Sequence, residues 1–497
     1  MMDFTLGEIA AAVGGELVDG ADPAAMVTGS VEFDSRNVTE GGLFLCLPGL
    51  RVDGHDFAEI AQAQGAVAVI EAHRTGVPGI LVPPVTDGAA DTHAYVLAGD
   101  STGEGAAVLT ALAALARYNT DTAVQRAGLT VIGITGSAGK TSTKDMVASV
   151  VSRAGTTVAP PGSFNNELGH PYTALKASAD TRFLVLELSA RSVGNIAHLA
   201  EVAPPQIGVE LNVGTAHLGE FGSQEVIAAA KGELVEALPA SGVAILNADD
   251  PRVAAMAERT PAHVIRYGTE GGDTGSRDVY ATDIHLDEMA RPNFLLHIGE
   301  ETPEPVQLAV FGLHQVHNAL AAAAVGHAVG MSSSEIARGL RDHVAVSSFR
   351  MDVQTRADSV TIINDSYNAN PDSMRAGLDA LAYTTSGRSG ARSWAVLGTM
   401  GELGADAQQA HADLGGQVAD RHIDYLVAVG TNASVRALAD AAKRRGVAVT
   451  TVNTAAAAAD YVSAHLHPGD VVLVKASNAD HLWTVAQHLV EEGTHQS

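Results

Sequence analysis

A buried strand that runs into a glycine-rich loop most constrains the fold of this chain. The apolar run Leu129–Ile134 leads into Thr135–Ser142, of sequence Thr-Gly-Ser-Ala-Gly-Lys-Thr-Ser, and a helix is predicted from about Thr143. Glycines let the backbone curl so that successive amides face one anion, and the helix N-terminus adds positive potential. The pattern predicts a phosphate-binding loop, or P-loop, in which Lys140 reaches the β- and γ-phosphates of ATP and Thr141 offers its hydroxyl to Mg²⁺.

The loop is a variant of the common pattern, which places a glycine five residues before Gly139. This chain has Ile134 there. The alternative is an ordinary strand–helix turn, but the strand, the turn, the Lys-Thr pair and the helix all favour phosphate binding. The residues predicted to contact ATP in the loop are Gly136, Ser137, Ala138, Gly139, Lys140, Thr141 and Ser142.

Apolar runs alternate with helical patterns on both sides of residue 344, which predicts parallel sheets buried on both faces. The 497 residues fit about three domains. We predict an α/β fold with a small N-terminal α/β domain (1–100), a central P-loop domain (101–343) and a C-terminal Rossmann-like, doubly wound domain (344–497). A β-rich insertion is expected before Phe311, and helices are predicted over Gly105–Tyr118, His317–Val329 and Asp372–Leu381. The strand candidates are Leu129–Ile134, Phe183–Leu188, Ile207–Val213, Val243–Leu246, Val360–Asn364, Trp394–Leu397, Tyr425–Val429, Val447–Val452 and Val471–Val474.

Charge and composition exclude several classes of function. The net charge of -27 repels phosphodiester backbones and anionic membranes, so no nucleic-acid partner is expected. The single cysteine, Cys46, lies in an apolar run and is predicted to be a core residue, which fits a reducing compartment. No secretory signal and no run long enough to span a membrane are apparent. We therefore expect a cytoplasmic enzyme.

Three further residues are candidate metal ligands, because they lie at or beyond the C-terminal ends of strands, where parallel sheets bind ligands. Glu187 ends an apolar strand, where a carboxylate is costly unless it is paired or bound to metal. His217 follows the next strand, and Lys231 borders the apolar face of a helix predicted over Gln224–Leu238. Lys231 could react with CO₂, which would make it an anionic magnesium ligand. The alternatives are a surface carboxylate, a solvated histidine and a solvated lysine.

Taken together, the motifs of this chain resemble the Mur ligases, the ATP-dependent amide-forming enzymes of peptidoglycan synthesis. They resemble most the branch that adds D-alanyl-D-alanine (D-Ala-D-Ala). The motifs that carry the resemblance are the P-loop, Glu187, Asn212–His217, Ala229–Lys231, Asp34–Arg36, Gly42–Phe44, Asp53–Phe57, Asn165–Gly169, Leu246–Asp250, Gly312–His314, His317–Ala319, Asn364–Met374, Leu397–Gly404 and Val474–Ser477.

The resemblance implies that ATP phosphorylates the peptide carboxylate of UDP-N-acetylmuramoyl-tripeptide (UDP-MurNAc-tripeptide), and that D-Ala-D-Ala then attacks the acyl phosphate. It implies two Mg²⁺ sites, one held by Thr141 and Glu187 and the other by His217 and carbamylated Lys231. Catalysis would rest on Lys140, His217, Lys231 and Arg350. Further ATP contacts would be Asn247 and Asn318 near the adenine, and Arg350 and Asp365, which would reach phosphate and ribose. The residues that would face the UDP-sugar are Ser35, Arg36, His55 and Asp56. Additional substrate contacts would be Asn166, Tyr367, Asn368 and Asn370. A monomer is expected.

Four positions depart from the family pattern. Phe349 precedes Arg350 where the family often has glycine, and Asn364 replaces the first of two aspartates. Where the family often has Lys-Gly-Ser-Arg, Ala476 replaces the glycine and Asn478 the arginine. The third residue of the peptide cannot be inferred. Other ligases of the superfamily, including folylpolyglutamate synthase, are alternatives that the Tyr367–Pro371 run disfavours. A nucleotide-dependent switch protein is an alternative of another class.

Overall fold

Three successive runs of strands and helices fold into three separate sheets. The computed structural model describes residues 1–49, 52–85, 100–214, 218–269 and 277–495. The sheets have five, nine and six strands, and a two-stranded ribbon lies at the N-terminus. The predicted three-domain α/β fold is confirmed, while the boundaries near residues 100 and 343 stay predictions. Among the described helices, none is long and apolar enough to cross a membrane.

The N-terminal region folds around short apolar strands. Its elements are β1 (Phe4–Thr5), α1 (Leu6–Val13), β2 (Glu16–Val18), β3 (Met26–Val27), β4 (Val31–Glu32), β5 (Gly42–Leu45), α2 (Ala58–Ala63), β6 (Ala66–Glu71) and β7 (Gly79–Leu81). The sheet order is β2-β7-β6-β5-β4, with β4 to β7 parallel and β2 antiparallel at the edge. Cys46 follows β5 and is fully buried, as predicted.

The central region places the P-loop strand inside its sheet. Its elements are α3 (Glu104–Ala127), β8 (Thr130–Thr135), α4 (Lys140–Val151), β9 (Thr157–Val158), α5 (Gly169–Ala174), β10 (Phe183–Glu187), α6 (Asn195–Val202), β11 (Ile207–Glu210), α7 (Leu218–Phe221), α8 (Gln224–Glu236), β12 (Val243–Asn247), α9 (Pro251–Ala255), β13 (His263–Thr269), β14 (Val279–Leu286), β15 (Pro292–Ile298), β16 (Glu304–Gln307), α10 (Gln315–Ala328) and α11 (Ser333–Arg341).

The nine strands have the order β16-β15-β14-β13-β12-β11-β8-β10-β9. β8 to β14 are parallel, and β14, β15 and β16 pair antiparallel, which confirms the predicted β-rich insertion. Because β8 lies between β10 and β11, the C-terminal ends of three neighbouring strands meet at one edge. That edge is where an open parallel sheet binds ligands.

Two helix boundaries in this region differ from prediction by three residues or more. α3 continues nine residues past the predicted end at Tyr118, because buried polar residues continue the helix instead of ending it. Asn119, for example, donates to the carbonyls of Ala174 and Ala177, at 3.1 and 3.0 Å. α4 begins at Lys140 rather than Thr143, since Gly139 takes the left-handed conformation directly before it, with φ 85°.

The C-terminal region is doubly wound. Its elements are β17 (Asp352–Thr355), β18 (Thr361–Asn364), α12 (Pro371–Ser386), β19 (Ser393–Leu397), α13 (Ala407–Asp420), β20 (Tyr425–Val429), α14 (Ala433–Arg444), β21 (Ala448–Val452), α15 (Ala455–His465), β22 (Val471–Lys475) and α16 (Trp483–His495). The order is β17-β18-β22-β19-β20-β21, parallel except for β17. Helices α12 to α14 pack on one face and α15 and α16 on the other.

Candidate active site

The P-loop follows β8 and is held by a neighbouring strand end. Gly139 has φ 85°, and a Cβ atom there would lie 2.7 Å from Asn318 Oδ1, so any other residue would be strained and would have to displace Asn318. The amides of Ser137 and Ala138 donate to the carbonyl and side-chain oxygens of Asn212, at 3.0 and 2.9 Å. Asn212 is therefore a loop-positioning residue to which the sequence analysis assigned no role, and these two amides are already bonded.

A chain of polar contacts joins the P-loop to the C-terminal region. Lys140 Nζ donates to Gly136 O at 2.6 Å, and burial lowers the pKa of Lys140. Thr141 Oγ1 lies 2.9 Å from Ser163 Oγ, which also accepts from Arg350 Nη2 at 2.6 Å. Arg350 Nε is buried with no acceptor among the described residues. Arg350 therefore reaches the loop from the other region, through a serine that the sequence analysis missed.

Two of the predicted metal ligands, Glu187 and Lys231, are buried near the loop lysine, since each interacts electrostatically with Lys140. Glu187 is fully buried at the end of β10; its Oε2 accepts from Asn165 Nδ2 at 3.3 Å, and Oε1 has no partner in the described part of the chain. Lys231 is 3% exposed on α8, so the alternative of a solvated lysine is wrong. His217, the third predicted ligand, lies outside the described residues.

A second buried carboxylate, Glu210, was missed by the sequence analysis. It ends β11, is fully buried, and both its oxygens lack hydrogen-bond partners among the residues described. Burial raises the pKa of Glu210 to about 8, and the charge of Lys231 opposes that rise. The pKa of Lys231 is lowered to about 7, mainly by burial and to a smaller extent by the positive charge of Lys140. The signal was available, because Glu210 interrupts an apolar strand just as Glu187 does.

The two residues predicted to lie near the adenine, Asn247 and Asn318, make hydrogen bonds around the P-loop. Asn247 ends β12 and donates to Leu211 O at 2.8 Å. Asn318 accepts from Thr143 Oγ1 at 3.1 Å and lies against Gly139, so it borders the P-loop directly. Contact of either side chain with adenine stays a prediction.

The residues predicted to face the UDP-sugar divide into two groups. Arg36 is exposed, with its guanidinium 2.6 Å from Asp34, and Asp56 is also exposed. Ser35 and His55 are buried. His55 uses both ring nitrogens internally, Nδ1 toward Asp53 at 2.7 Å and Nε2 as acceptor of the Ala72 amide at 3.0 Å. Direct contact of His55 with a ligand would break one of these bonds, whereas Arg36 is open to a diphosphate.

The other predicted substrate residues lie in short turns. Asn166 Oδ1 accepts the amide of Gly169 at the start of α5, at 2.9 Å. Asn370 caps α12, since its Oδ1 accepts the Ser373 amide at 2.8 Å. Asn368 is exposed and Tyr367 half-buried. Asn370 therefore has a structural task besides any contact with substrate.

Lys475, at the end of β22, fixes the Tyr367–Asn370 turn. Its Nζ donates to Asp365 Oδ2 at 2.6 Å and to Asn368 O at 2.8 Å, and the side chain is almost fully buried. Asp365 Oδ1 also accepts the amide of Met351 at 3.1 Å. Asp365, predicted to reach the ribose, is thus already ion-paired, and Lys475 is a positioning residue that the sequence analysis did not identify.

The central and C-terminal regions meet over this site. Arg191 Nη2 lies 3.1 Å from Glu402 Oε1 across the cleft, in addition to the Arg350–Ser163 bond. Farther out, Tyr383 of α12 donates to Leu286 O at 2.8 Å. The cleft between the two regions therefore contains the P-loop, a guanidinium from the opposite side and two buried carboxylates.

Comparison with known proteins supports this arrangement. Three family models match: the Mur ligase family catalytic domain over residues 29–117, the Mur ligase middle domain over 134–326 and the Mur ligase glutamate ligase domain over 349–478. The chain is 52% identical to the UDP-N-acetylmuramoyl-tripeptide–D-alanyl-D-alanine ligase of Mycobacterium tuberculosis, over 99% of both chains. It is 33% identical to the enzyme of that name from Escherichia coli, over 86% of each.

Solved structures agree with the sequence relatives. MurF from Acinetobacter baumannii superposes with a TM-score of 0.82 at 31% identity, covering 99% of both chains. MurF ligase from Thermotoga maritima in complex with ADP gives 0.76 at 26% identity, covering 95% of this chain and 99% of that one. On the family models and on identity over nearly the whole length, this chain belongs to the Mur ligase family.

Proposed function

We propose that this protein joins D-Ala-D-Ala to UDP-MurNAc-tripeptide with hydrolysis of ATP to ADP and phosphate. The observation that carries the proposal is the full-length 52% identity to ligases of that name, together with a P-loop, a cross-cleft arginine and a buried lysine in one cleft. The reaction takes place in the cytoplasm, and the protein acts as a monomer.

The chemistry requires an activated carboxylate, because a carboxylate oxygen is a poor leaving group. The peptide carboxylate attacks the γ-phosphorus, the bond to ADP breaks, and an acyl phosphate forms. The amine of D-Ala-D-Ala then attacks the acyl carbon, phosphate leaves and the amine loses a proton. Lys140 and Arg350 stabilise the charge of the transferring phosphoryl group from opposite sides of the cleft, because preorganised cations there need no reorganisation.

The residues present fit magnesium. Glu187 Oε1 is buried and unpaired among the described residues, and the hydroxyl of Thr141 lies at the start of α4. Hard oxygen donors of this kind suit Mg²⁺. Thr141 and Glu187 would hold one ion and His217 with carbamylated Lys231 a second. Bound magnesium would neutralise phosphate charge and orient the acyl oxygen.

The environment of Lys231 favours carbamylation. A lysine nitrogen must be neutral to attack CO₂, and burial lowers the pKa of Lys231 to about 7. The new N–C bond converts the amine to a carbamate and releases one proton. An anionic carbamate is a magnesium ligand, whereas an ammonium would repel the ion.

A coupled ADP-release assay tests the proposed function. With ATP, Mg²⁺ and UDP-MurNAc-tripeptide, D-Ala-D-Ala should release one ADP per product, and mass spectrometry should show the tripeptide gaining one D-Ala-D-Ala less water. Tripeptides with diaminopimelate or lysine in third place would be compared. ADP release with glutamate or single amino acids instead would contradict the proposal. ATP binding without ADP release for any amine would favour a switch protein.

A further inference from the structure

The guanidinium of Arg350 occupies a defined position between two regions. Its Cζ lies 4.2 Å from the centre of the Tyr367 ring. Its Nη2 donates a hydrogen bond to the Ser163 hydroxyl, which in turn contacts the Thr141 hydroxyl. A cation held over an aromatic face and aimed at a hydroxyl has little freedom to reorient. What fixes the backbone that carries Arg350 therefore decides where this charge lies.

That backbone takes an unusual conformation on both sides of the arginine. Phe349 has φ 62° and Met351 has φ 51°, both in the left-handed region that side chains with a Cβ disfavour. Such conformations persist only where the surroundings impose them. Two left-handed residues around one functional side chain therefore need contacts that hold them.

The holding contacts can be identified. The Met351 amide donates to Asp365, which Lys475 anchors, and the Phe349 carbonyl accepts the Tyr367 amide at 3.1 Å. The ring of Phe349 stacks on Trp483, the first residue of α16, with centroids 5.5 Å apart and planes inclined by 16°. Two contacts therefore hold the Phe349 conformation: its carbonyl is bonded to the loop at Tyr367, and its ring stacks on α16.

We propose that Phe349 and Trp483 are positioning residues: their stacked rings hold the left-handed backbone before Arg350 and so keep its guanidinium at the P-loop. The inference rests on the proposed function, because Arg350 is taken to contact nucleotide phosphate. The proposal assigns neither aromatic residue a contact with substrate. Their effect on the reaction passes through Arg350 alone, which separates this role from ordinary packing.

The test compares variants of both rings for affinity toward the ATP analogue AMP-PNP with Mg²⁺ and for ligation rate. Trp483→Leu and Phe349→Ala remove the stack but keep a Cβ at residue 349. We expect each to weaken AMP-PNP binding about 5-fold and lower kcat about 10-fold, since small displacements of a positioned group are costly. Trp483→Phe keeps a stack and should stay within about twofold of wild type.

Two comparisons distinguish positioning from stability. Phe349→Gly should be more active than Phe349→Ala, because glycine adopts positive φ freely. In an Arg350→Ala background, Trp483→Leu should add no further loss. Tyr461→Leu, which breaks the Tyr461–His465 stack at 4.3 Å in the same region, is the matched control and should behave as wild type.

Equal loss in Phe349→Gly and Phe349→Ala, or additive loss with Arg350→Ala, would overturn the proposal. Thermal unfolding checks that each variant folds. If Trp483→Leu does not fold, the comparison of Trp483→Phe with the two Phe349 variants still tests the proposal. AMP-PNP affinity needs neither peptide nor amine. A wild-type protein that binds AMP-PNP but does not ligate would refute the proposed function, whereas unchanged affinity and rate across the stack variants would refute this inference.

Discussion

Lys231 owes its lowered pKa mainly to burial away from water. With 3% of its surface exposed and a neighbour, Lys140, of the same charge, its ammonium form is disfavoured. Glu210, at the end of β11, has the opposite effect on Lys231, because a carboxylate there raises the lysine pKa. Burial is the larger influence, so packing between a sheet and a helix lowers the pKa of an ordinary lysine.

Replacing Lys231 with alanine should lower the ligation rate by roughly 100-fold, because an electrostatic ligand of the site is lost. Short carboxylic acids such as acetate should partly restore it by taking the place of the carbamate. Lys443→Ala, at an exposed position, is the control and should be unaffected by acetate. A folded Lys231→Ala protein that no acid rescues would indicate a lysine used only for packing.

His411 gives a pH-dependent contribution to stability. Its Nε2 accepts the Met400 amide at 2.9 Å and its Nδ1 faces Ala407 O, so the native ring is neutral. Burial lowers its pKa below the ordinary 6.5. The unfolded chain therefore binds a proton first as pH falls, and the contribution that is present above pH 6.5 is lost toward acid.

Urea unfolding of wild type and His411→Gln between pH 8 and pH 5 checks this expectation. The free energy of unfolding of wild type should fall more steeply below pH 6.5 than that of the variant, which cannot titrate there. Parallel curves for the two proteins would show that His411 keeps its ordinary pKa in the folded state.

Among the secondary-structure elements, α12 shows how one residue can serve a fold and a site. Asn370 and Ser373 form reciprocal bonds at its N-terminus, and Pro371 occupies the first turn. Loss of such a cap costs about 1 kcal/mol. The loop that precedes α12 carries Tyr367, against which Arg350 packs, so a frayed helix start would also disturb the site.

Asn370→Ala should therefore reduce the free energy of unfolding by about 1 kcal/mol, whereas Asn370→Ser should retain most of it because serine is also a good cap. The ligation rate of Asn370→Ser separates the two roles. A rate near wild type would assign Asn370 to the cap, and a loss of about 10-fold in a stable protein would support the predicted substrate contact.

At the scale of the whole molecule, the cleft is formed by contacts between regions that are far apart in sequence. Arg350 meets Ser163, and Arg191 meets Glu402. These contacts bring the strand ends of two sheets to opposite sides of one cleft. We expect ATP and UDP-MurNAc-tripeptide to stabilise this closed arrangement, as ligands that contact both sides of a cleft do.

Small-angle scattering should show a smaller radius of gyration when an ATP analogue and UDP-MurNAc-tripeptide are both bound. Arg191→Gln removes a contact across the cleft and should reduce this contraction, while Arg153→Gln, which removes an ion pair to Asp342 inside the central region, should not. Identical profiles with and without both ligands would argue against closure.

Local sequence determined the P-loop and most of the strands. Short apolar runs between helical patterns are typical of parallel sheets buried on both faces, and Gly139 with Lys140 marks the turn that follows β8. Buried polar residues misled the prediction of α3, because Asn119 finds its acceptors 55 and 58 residues away. A propensity pattern carries no information about such partners.

The tertiary structure alone decided which polar residues meet. Ser163, which contacts Thr141, accepts a hydrogen bond from Arg350, 187 residues away in the sequence. Lys475 anchors Asp365, which lies 110 residues away. His55, whose contact with a ligand stays a prediction, is bonded internally at both nitrogens. Sequence fixes which chemistry is available and on which element it lies, but burial and charge coupling arise only when distant strands end at the same edge. The pKa values of Lys231 and Glu210 are consequently properties of the fold.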